Sequence, residues 1–227
     1  VVPHGDLLDL VAGAEAIEEV KERGLALDGG KVSHRRKVHD LLDVALGEHG
    51  EERGLIGPLE PARLWSRHIL NSAVAGPLFA SGARVGDVGS GAGLPGLVLA
   101  IARPDVEWVL IEPMERRVTW LQEQTDALEL QNVTIVRARG EEWSEGAVLD
   151  AVTARAVSAL KTLVPLTAPL VRVGGELVLL KGANAANEIE AASKQLRKYG
   201  LDDVRVEMVG DGVIAEPTRV VRATRTR

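Results

Sequence analysis

The stretch RVGDVGSGAGLPGLVLAIARP, residues 84–104, restricts the possible folds of this chain more than any other part of it. An apolar run ends in a loop with four glycines in eight residues, and a helix-like run follows. These glycines are Gly89, Gly91, Gly93 and Gly96. The last three match G-x-G-x-x-G, a pattern that joins a strand to a helix where nucleotide-like cofactors bind. The stretch therefore predicts a cofactor loop after the first strand of a sheet.

Short apolar runs alternate with amphipathic helical patterns from residue 84 to the end of the chain. Strands are predicted over ARVGDVG, VEWVLIE, VTIVRAR, LDAVTARA and GGELVLLKG. LKTLVPLTAPLV predicts a helix broken or offset by its prolines. DVRVEMVG and TRVVRATR predict two closing strands joined through DGVIAEP in a hairpin-like connection. This order predicts a doubly wound, mostly parallel sheet with ligands at the carboxyl ends of its strands.

The residues before this region show helical patterns instead of alternating ones. HRRKVHDLLDVALGEHG and PARLWSRHILNSAVAGPLF each place apolar residues along one helical stripe. We therefore expect two parts, an N-terminal helical extension over residues 1–80 and a cofactor-binding core over residues 81–227.

The composition excludes several classes of protein. The chain has 227 residues and no cysteine, which excludes a disulfide framework, a thiolate zinc site and a cysteine nucleophile. We expect no metal. The first twenty residues lack the basic start and apolar run of a secretion signal, and no apolar stretch approaches the length of a membrane span. These features favour a cytoplasmic protein that does not bind a membrane.

Charge is distributed unevenly along the chain. The formal net charge of −6 argues against a protein coated in nucleic acid. Two local segments are basic and contain no acid: KVSHRRKVH (Lys31–His39) and PTRVVRATRTR (Pro217–Arg227). Each fits either a solvated face or frayed terminus, or a set of phosphate contacts.

The residue that best separates the possible cofactors is Asp87, two positions before the first glycine. A nicotinamide dinucleotide places a pyrophosphate at this loop, and a carboxylate there would repel it. A cofactor with a cationic amino-acid end and no phosphate would be stabilised by the same carboxylate. S-adenosylmethionine has this chemistry, with an ammonium and a sulfonium group. Asp87 therefore favours S-adenosylmethionine over a nicotinamide cofactor, although a turn that needs glycine only for positive φ stays open.

Acidic residues after the next two strands agree with this interpretation. Glu112 ends the second strand, where a carboxylate can accept both ribose hydroxyls, and it lies 21 positions after Gly91. That spacing suits either cofactor. Glu141 and Glu142 follow the third strand, near the expected place of an adenine amino group.

Four segments of the chain are more specific than a general cofactor loop: RLWSRHILNS (Arg63–Ser72), DVGSGAGLPG (Asp87–Gly96), TARAVSAL (Thr153–Leu160) and LLKG (Leu179–Gly182). In these segments the chain resembles the RsmG family, also called GidB, of bacterial 16S ribosomal RNA guanine-N7 methyltransferases. The resemblance runs from about residue 40 to the C-terminus. It implies a Rossmann-like class I methyltransferase with a mostly parallel seven-stranded sheet, helices on both faces and an N-terminal helical extension.

The resemblance also implies site residues. It places Gly89, Leu94, the Gly140–Glu141 pair and Arg155 at the cofactor. Together with the argument from the residues, the predicted cofactor site consists of Asp87, Gly89, Gly91, Leu94, Glu112, Gly140, Glu141 and Arg155. The chain departs from the family at residue 140, where it has Gly and the family commonly has Ala or Val.

The chemistry of this reaction needs few catalytic groups. Guanine N7 has a free lone pair at neutral pH, so no general base is expected, and the enzyme has to hold N7 about 3–3.5 Å from the methyl carbon in line with the sulfur. Arg155 and Lys181 follow predicted strand ends and are the expected positioning residues. Either could bind RNA phosphate or guanine O6, or could form a structural ion pair.

Contacts with RNA are predicted at basic residues of the N-terminal region: Arg35, Arg36, Lys37, Arg63, Arg67 and His68. A solvated face is the alternative for the cations, and a satisfied core histidine is the alternative for His68. Four tryptophans, Trp65, Trp108, Trp120 and Trp143, are expected to pack in the core instead of stacking on bases.

The function predicted from the sequence is methyl transfer from S-adenosylmethionine to N7 of a guanine in 16S ribosomal RNA. The partner is the RNA or a small ribosomal subunit precursor, and we assume a monomer. Three alternatives stay open: an S-adenosylmethionine-dependent methyltransferase acting on a small molecule or protein, a nicotinamide-dependent oxidoreductase, and a non-catalytic RNA-binding or assembly factor.

Overall fold

The computed structural model describes residues 46–57, 64–143 and 148–227. These residues contain seven strands: β1 (Arg84–Val88), β2 (Glu107–Ile111), β3 (Val133–Val136), β4 (Leu149–Arg155), β5 (Val171–Lys181), β6 (Leu201–Val209) and β7 (Thr218–Arg225). They form one sheet in the order β3-β2-β1-β4-β5-β7-β6. The first five strands of that order are parallel, and β7 is antiparallel to both β5 and β6. The expected sheet and its closing strand pair are confirmed.

Four longer helices connect the strands: α1 (Gly96–Ala102), α2 (Glu115–Ala127), α3 (Leu160–Thr167) and α4 (Ala185–Lys198). Pro165 lies inside α3, and a 3₁₀ turn with a second proline, Ala168–Leu170, follows directly. A proline removes one intrahelical hydrogen bond and clashes with the preceding turn. The helix nevertheless runs through Pro165 to Thr167 and changes to the 3₁₀ turn at Ala168, so the predicted interruption is found at the second proline and not at Pro165.

The two faces of the sheet are covered by different helices. Along β2, Trp108 and Leu110 point to the core that contains α1 and α2, whereas Val109 and Ile111 point to the core that contains α3 and α4. Side chains of successive strand residues alternate between faces, so a strand buried on both sides is apolar throughout. This arrangement makes the sheet doubly wound.

Part of the N-terminal region packs on the α1–α2 face. Leu64–Leu70 forms a π-helical segment that continues into the short helix Asn71–Ala73, and Leu64 and Ile69 are buried in that core. Helical structure is thus confirmed for residues 64–73 of the predicted extension. Trp108 and Trp120 are buried as expected, and the side chain of Trp65 lies outside the described residues.

The strand order reverses between β1 and β4. From β1 the chain crosses to β2 and then β3 on one side, and it returns to β4 and β5 on the other. At such a switch point the loops after neighbouring strands diverge, which opens a crevice at the carboxyl ends of the strands. The glycine loop follows β1, so it lies in this crevice.

Candidate functional site

The glycine loop between β1 and α1 depends on backbone conformations that other residues rarely adopt. Gly89, Gly91 and Gly93 have φ values of +73°, +55° and +89°. The Gly89 N–H donates to the Ile111 carbonyl at 2.8 Å, which attaches the loop to the end of β2. A Cβ on Gly89 would lie 2.7 Å from a methyl group of Val157. A side chain at position 89 would therefore collide with Val157.

The close approach of α1 to the sheet depends on Gly96. A Cβ at this position would lie 2.5 Å from Asp87 Oδ2 and still closer to a methyl group of Leu110. The Gly96 N–H donates to Asp87 Oδ2 at 3.0 Å. Glycine thus lets the first turn of α1 contact β1 directly.

Asp87 is fully buried at the end of β1. Its Oδ2 accepts the Gly96 N–H, while Oδ1 is buried and has no hydrogen-bond partner among the described residues. Burial raises the pKa of this carboxyl to about 7, against the opposing effects of Ser90 and the Gly96 amide; the nearby Glu112 carboxylate raises it further. A buried carboxyl with an unsatisfied oxygen would be stabilised by a cationic group.

Glu112 follows β2 and is 1% exposed. Its two oxygens accept main-chain N–H groups on opposite sides, Gly91 at 3.0 Å and Met114 at 2.9 Å. The Arg117 guanidinium lies 3.8 Å from Glu112 Oε2. These contacts hold the carboxylate against the glycine loop.

Three further residues predicted at the cofactor lie on loops around the crevice. Leu94 is half-buried in the glycine loop and packs against the α1–α2 core, and its peptide bond to Pro95 is cis. Gly140 begins a 3₁₀ turn after β3, and Glu141, the next residue, is exposed. A Cβ on Gly140 would lie 2.6 Å from the Leu166 carbonyl oxygen. This close approach of α3 explains why the chain has glycine where the family commonly has a larger residue.

Arg155, the last residue of β4, connects the sheet to the π-helical segment. Its Nη1 donates to the His68 carbonyl at 2.9 Å and to Ser72 Oγ at 3.3 Å, and its Nη2 is bonded to His68 Nδ1. A guanidinium is always a donor here, so Nδ1 is the acceptor in this pair. His68 is therefore neither a core histidine nor a free surface group. Sequence reasoning missed Ser72 as a partner, although it belongs to the RLWSRHILNS segment.

Lys181, the last residue of β5, lies in a second network. Its Nζ donates to the Ser158 carbonyl at 2.9 Å and forms an ion pair with Glu188 Oε2 at 2.7 Å. The same Glu188 oxygen accepts the Leu160 N–H at 2.7 Å. Burial alone would raise the pKa of Glu188, but the bonds from Lys181 and Leu160 lower it overall. Lys181 thereby fixes the loop between β4 and α3, and no sequence signal had indicated Glu188.

The C-terminal basic segment Pro217–Arg227 is not a frayed terminus, and that interpretation was wrong. It forms β7, and Arg222 pairs with Glu176 at 2.5 Å and with Glu207 at 3.1 Å. Arg225 Nη1 donates to three main-chain carbonyls. Arg222 therefore links β7 to β5 and β6, and Arg225 links β7 to the turn that leads into β5.

Only some of the remaining residues predicted to contact RNA lie in the part of the chain that the structure describes. Arg35, Arg36, Lys37 and Arg63 lie outside the described residues, as does the whole Lys31–His39 segment. Arg67 is exposed, next to His68. In the described parts of the chain, no helix is long and apolar enough to cross a membrane.

Comparison with known proteins agrees with this architecture. The family GidB, described as rRNA small subunit methyltransferase G, matches residues 36–216. The ribosomal RNA small subunit methyltransferase G of Clavibacter michiganensis subsp. michiganensis is 63% identical over 190 residues, covering 81% of this chain and 90% of its own length. The protein of that name from Leifsonia xyli subsp. xyli is 64% identical, covering 79% and 85%. The one from Corynebacterium glutamicum ATCC 13032 is 46% identical, covering 83% and 88%.

Solved structures share the fold at low sequence identity. A SAM-dependent O-methyltransferase from Thermotoga maritima has a TM-score of 0.55 at 18% identity, covering 74% of this chain and 70% of its own. The N-methyltransferase NodS from Bradyrhizobium japonicum, in complex with S-adenosyl-L-homocysteine, has a TM-score of 0.54 at 16% identity, covering 78% and 96%. The sheet is thus that of the class I methyltransferase fold.

Proposed function

The chain belongs to the GidB family of small-subunit ribosomal RNA methyltransferases, and from this premise we infer that it transfers a methyl group from S-adenosylmethionine to N7 of a guanine in 16S ribosomal RNA. The main support for S-adenosylmethionine as the cofactor is the pair of buried carboxyls beside the glycine loop, Asp87 and Glu112. Asp87 at that point disfavours a phosphate-bearing cofactor and suits a cationic one, whereas Glu112 at the ribose suits either. The nicotinamide alternative is therefore set aside.

The residues around the crevice fit this cofactor. Asp87 has an unpartnered, buried carboxylate oxygen, Oδ1, suited to an ammonium group. Glu112 would accept the ribose hydroxyls, because its main-chain partners already fix its orientation. The adenine end would lie near Gly140 and Glu141, and the loop residues Gly89, Gly91 and Leu94 would line the space between. When bound, the cofactor supplies an electrophilic methyl group on a sulfonium.

The protein's own contribution to the reaction is positional. Guanine N7 attacks through its lone pair, so no residue has to remove a proton first. Arg155 and Lys181, at the ends of β4 and β5, hold the segments that border the substrate side of the crevice. Holding two reactants in line converts a bimolecular step into an effectively unimolecular one. The contact expected between Arg155 and guanine O6 stays a prediction, because the guanidinium donates to His68 and Ser72 in this structure.

The proposed substrate is an irregular or single-stranded part of the RNA. In a regular A-form helix, N7 lies in a deep, narrow groove that side chains cannot enter. A loop near the decoding region of the small subunit would present an accessible guanine. We place the reaction in the cytoplasm, on 16S ribosomal RNA or a small-subunit precursor.

The test is identification of the product. The protein is incubated with unmodified 16S ribosomal RNA and, separately, with small subunits, and the digested RNA is analysed by mass spectrometry. N7-methylguanosine is expected from at least one substrate, and borohydride–aniline cleavage then locates it. The matched control Glu112→Ala should lose cofactor binding in calorimetry together with the product.

Other products decide against the proposal. A methylated adenosine, a ribose methyl group or no RNA product from either substrate would refute it. Methyl transfer to a protein or to a small molecule under the same conditions would favour the alternative methyltransferase function.

A further inference from the structure

Three exposed cations lie around the crevice without partners. Arg67, Lys161 and Arg219 are exposed, and in the described part of the chain none of them makes an ion pair or a side-chain hydrogen bond. Many other arginines are paired, as Arg222 is with Glu176 and Glu207. Other exposed cations of the described residues, such as Arg116 and Lys194, also lack such partners, so what distinguishes these three is their position at the crevice.

The position of Arg219 follows from the strand register. β7 runs antiparallel to β5, so it begins where β5 ends, and Arg219 is the register partner of Lys181. Because Lys181 ends β5 at the carboxyl edge, Arg219 lies at the same edge. Of the arginines in the basic segment Pro217–Arg227, Arg219 is the one nearest to the start of β7 and therefore to the crevice.

Lys161 lies beside the same strand end. It is the second residue of α3, directly after Leu160, whose N–H is bonded to Glu188 Oε2. That oxygen is also 2.7 Å from the Lys181 ammonium. The Glu188 carboxylate is thus neutralised by Lys181, and the Lys161 charge is left for another partner.

Arg67 is brought to this edge by two contacts of its neighbours. His68, the next residue, is bonded to Arg155 at the end of β4. A few residues later the Asn71 carbonyl accepts a hydrogen bond from Thr218 Oγ1 at 3.3 Å, at the start of β7. The π-helical segment and the short helix that continues it therefore span from the end of β4 to the start of β7.

We propose that Arg67, Lys161 and Arg219, here called the cationic rim, bind the phosphate backbone of the RNA on the β4–β5–β7 side of the crevice. The proposal rests on the proposed function and assigns a surface to its substrate. With a net charge of −6, the chain needs a local cluster of cations to attract a polyanion. In the strand order the rim belongs to the side of β4, β5 and β7, whereas the buried carboxyls end β1 and β2.

The test compares charge-removing variants in full-length protein. The triple variant Arg67→Gln, Lys161→Gln, Arg219→Gln and the control Lys194→Gln, an exposed cation in the C-terminal half of α4, are titrated against a 16S ribosomal RNA transcript at several salt concentrations. Each lost phosphate contact removes about 0.7–0.9 from the slope of log K against log salt, so the triple variant should be shallower by about 2–3. Lys194→Gln should keep the slope of the unsubstituted protein.

A second arm of the experiment removes acidic side chains instead of basic ones. The turn between β6 and β7 carries two exposed acids, Asp211 and Glu216. Replacing them with Asn and Gln should leave affinity unchanged or raise it, because repulsion at the same edge is removed. Circular dichroism and cofactor affinity, measured for every variant, should match the unsubstituted protein and so exclude unfolding as the cause.

The outcomes separate the rim from the proposed function. Equal slopes for the triple variant and the unsubstituted protein would overturn the rim while leaving the function intact. If the triple variant flattens the salt dependence of RNA binding but the methyl group is found elsewhere than on guanine N7, the proposed function is overturned and the rim is retained. An unsubstituted protein that does not bind the RNA would overturn both.

Discussion

On the β1–β2 side of the crevice the charged groups are two buried carboxyls held by main-chain amides, whereas on the β4–β5 side they are two cations, each held by a main-chain carbonyl and by a partner side chain. Asp87 and Glu112 take their N–H partners from residues 2 to 21 positions away. Arg155 takes its partners 83 and 87 positions away, and Lys181 bonds a carbonyl 23 positions away. The two sides thus have opposite charge and different kinds of support.

This difference affects how each side responds to substitution. Main-chain donors stay in place whatever the side chains are, so the acidic side should fail only when its own carboxyls or glycines change. The cationic side depends on partner side chains: Lys181 is paired with Glu188, and Arg155 donates to Ser72. Removing one member of such a pair takes a bonding partner from the other member. The predictions below probe these two kinds of support.

The largest effect on stability is expected from Lys181→Met. The Lys181 and Glu188 side chains are only 9% and 19% exposed, so the variant leaves a largely buried carboxylate without its cation. Breaking such a pair costs about 3–5 kcal/mol, and urea unfolding should show a loss near the lower end because Leu160 still donates.

The double variant Lys181→Met, Glu188→Gln is the control. It should recover much of the lost stability, because the uncompensated charge is removed. Recovered stability together with recovered methyl transfer would limit Lys181 to positioning, whereas recovered stability without activity would indicate that it contacts RNA. A single variant as stable as the unsubstituted protein would contradict the ion pair's importance.

Arg155→Ala should reduce kcat/KM for methyl transfer about 100-fold, equivalent to about 2.7 kcal/mol. The physical reason is the loss of the link between β4 and the π-helical segment. The measurement is single-turnover transfer to 16S ribosomal RNA, with cofactor affinity determined separately by calorimetry.

His68→Gln and Ser72→Ala sharpen this prediction. Each removes one partner of Arg155 and keeps the guanidinium. Losses as large as that of Arg155→Ala would mean that Arg155 acts by holding the helix. A loss confined to Arg155→Ala would favour direct contact with the guanine, and unchanged kcat/KM in Arg155→Ala would contradict both roles.

On the acidic side, Gly96→Ala should destabilise the protein by about 1–3 kcal/mol. The added Cβ would lie 2.5 Å from Asp87 Oδ2, so α1 would have to move away from β1. Gly182→Ala is the matched control, because a Cβ there meets nothing within 4 Å and its cost should be small. Equal unfolding free energies for the two variants would show that α1 can shift freely.

The smallest effect expected is a pH dependence of cofactor affinity. Because the pKa of Asp87 is raised to about 7, the carboxyl is protonated below that pH, and a cationic ligand has to displace the proton. Affinity should therefore rise with pH up to about 7, by at most tenfold per unit, and Asp87→Asn should abolish this rise. Calorimetry at several pH values measures it, and an affinity equally flat in both proteins would contradict the pairing of Asp87 with the cofactor.

The raised pKa of Asp87 also makes the free energy of unfolding depend on pH. The native carboxyl holds its proton at pH values where the unfolded chain, with a pKa of 3.8, has lost it. The contribution of Asp87 to the free energy of unfolding is thus full below about pH 4 and declines as the pH rises toward 7. Comparing Asp87→Asn with the unsubstituted protein over this interval isolates the group.

Much of the fold could be predicted because its signals are local. The strands β1 to β7 follow from runs of 4 to 11 residues whose apolar pattern requires only neighbours in sequence. The glycine loop and Glu112 were found in the same way, since their partners lie within 22 positions. The confirmed hairpin of β6 and β7 follows from a short connection rich in turn residues.

The sequence by itself determined which residues are acidic or cationic at the strand ends, but only the tertiary structure decided which cations have partners. Arg222 and Arg219 are three positions apart in one basic segment, yet Arg222 pairs with Glu176 and Glu207, whereas Arg219 lies at the crevice edge without a partner among the described residues. The order β4-β5-β7-β6 brings Glu176 and Glu207, which are far apart in sequence, against Arg222. An ion pair depends on distance in space, and the crossovers that set this distance leave no local pattern in the sequence.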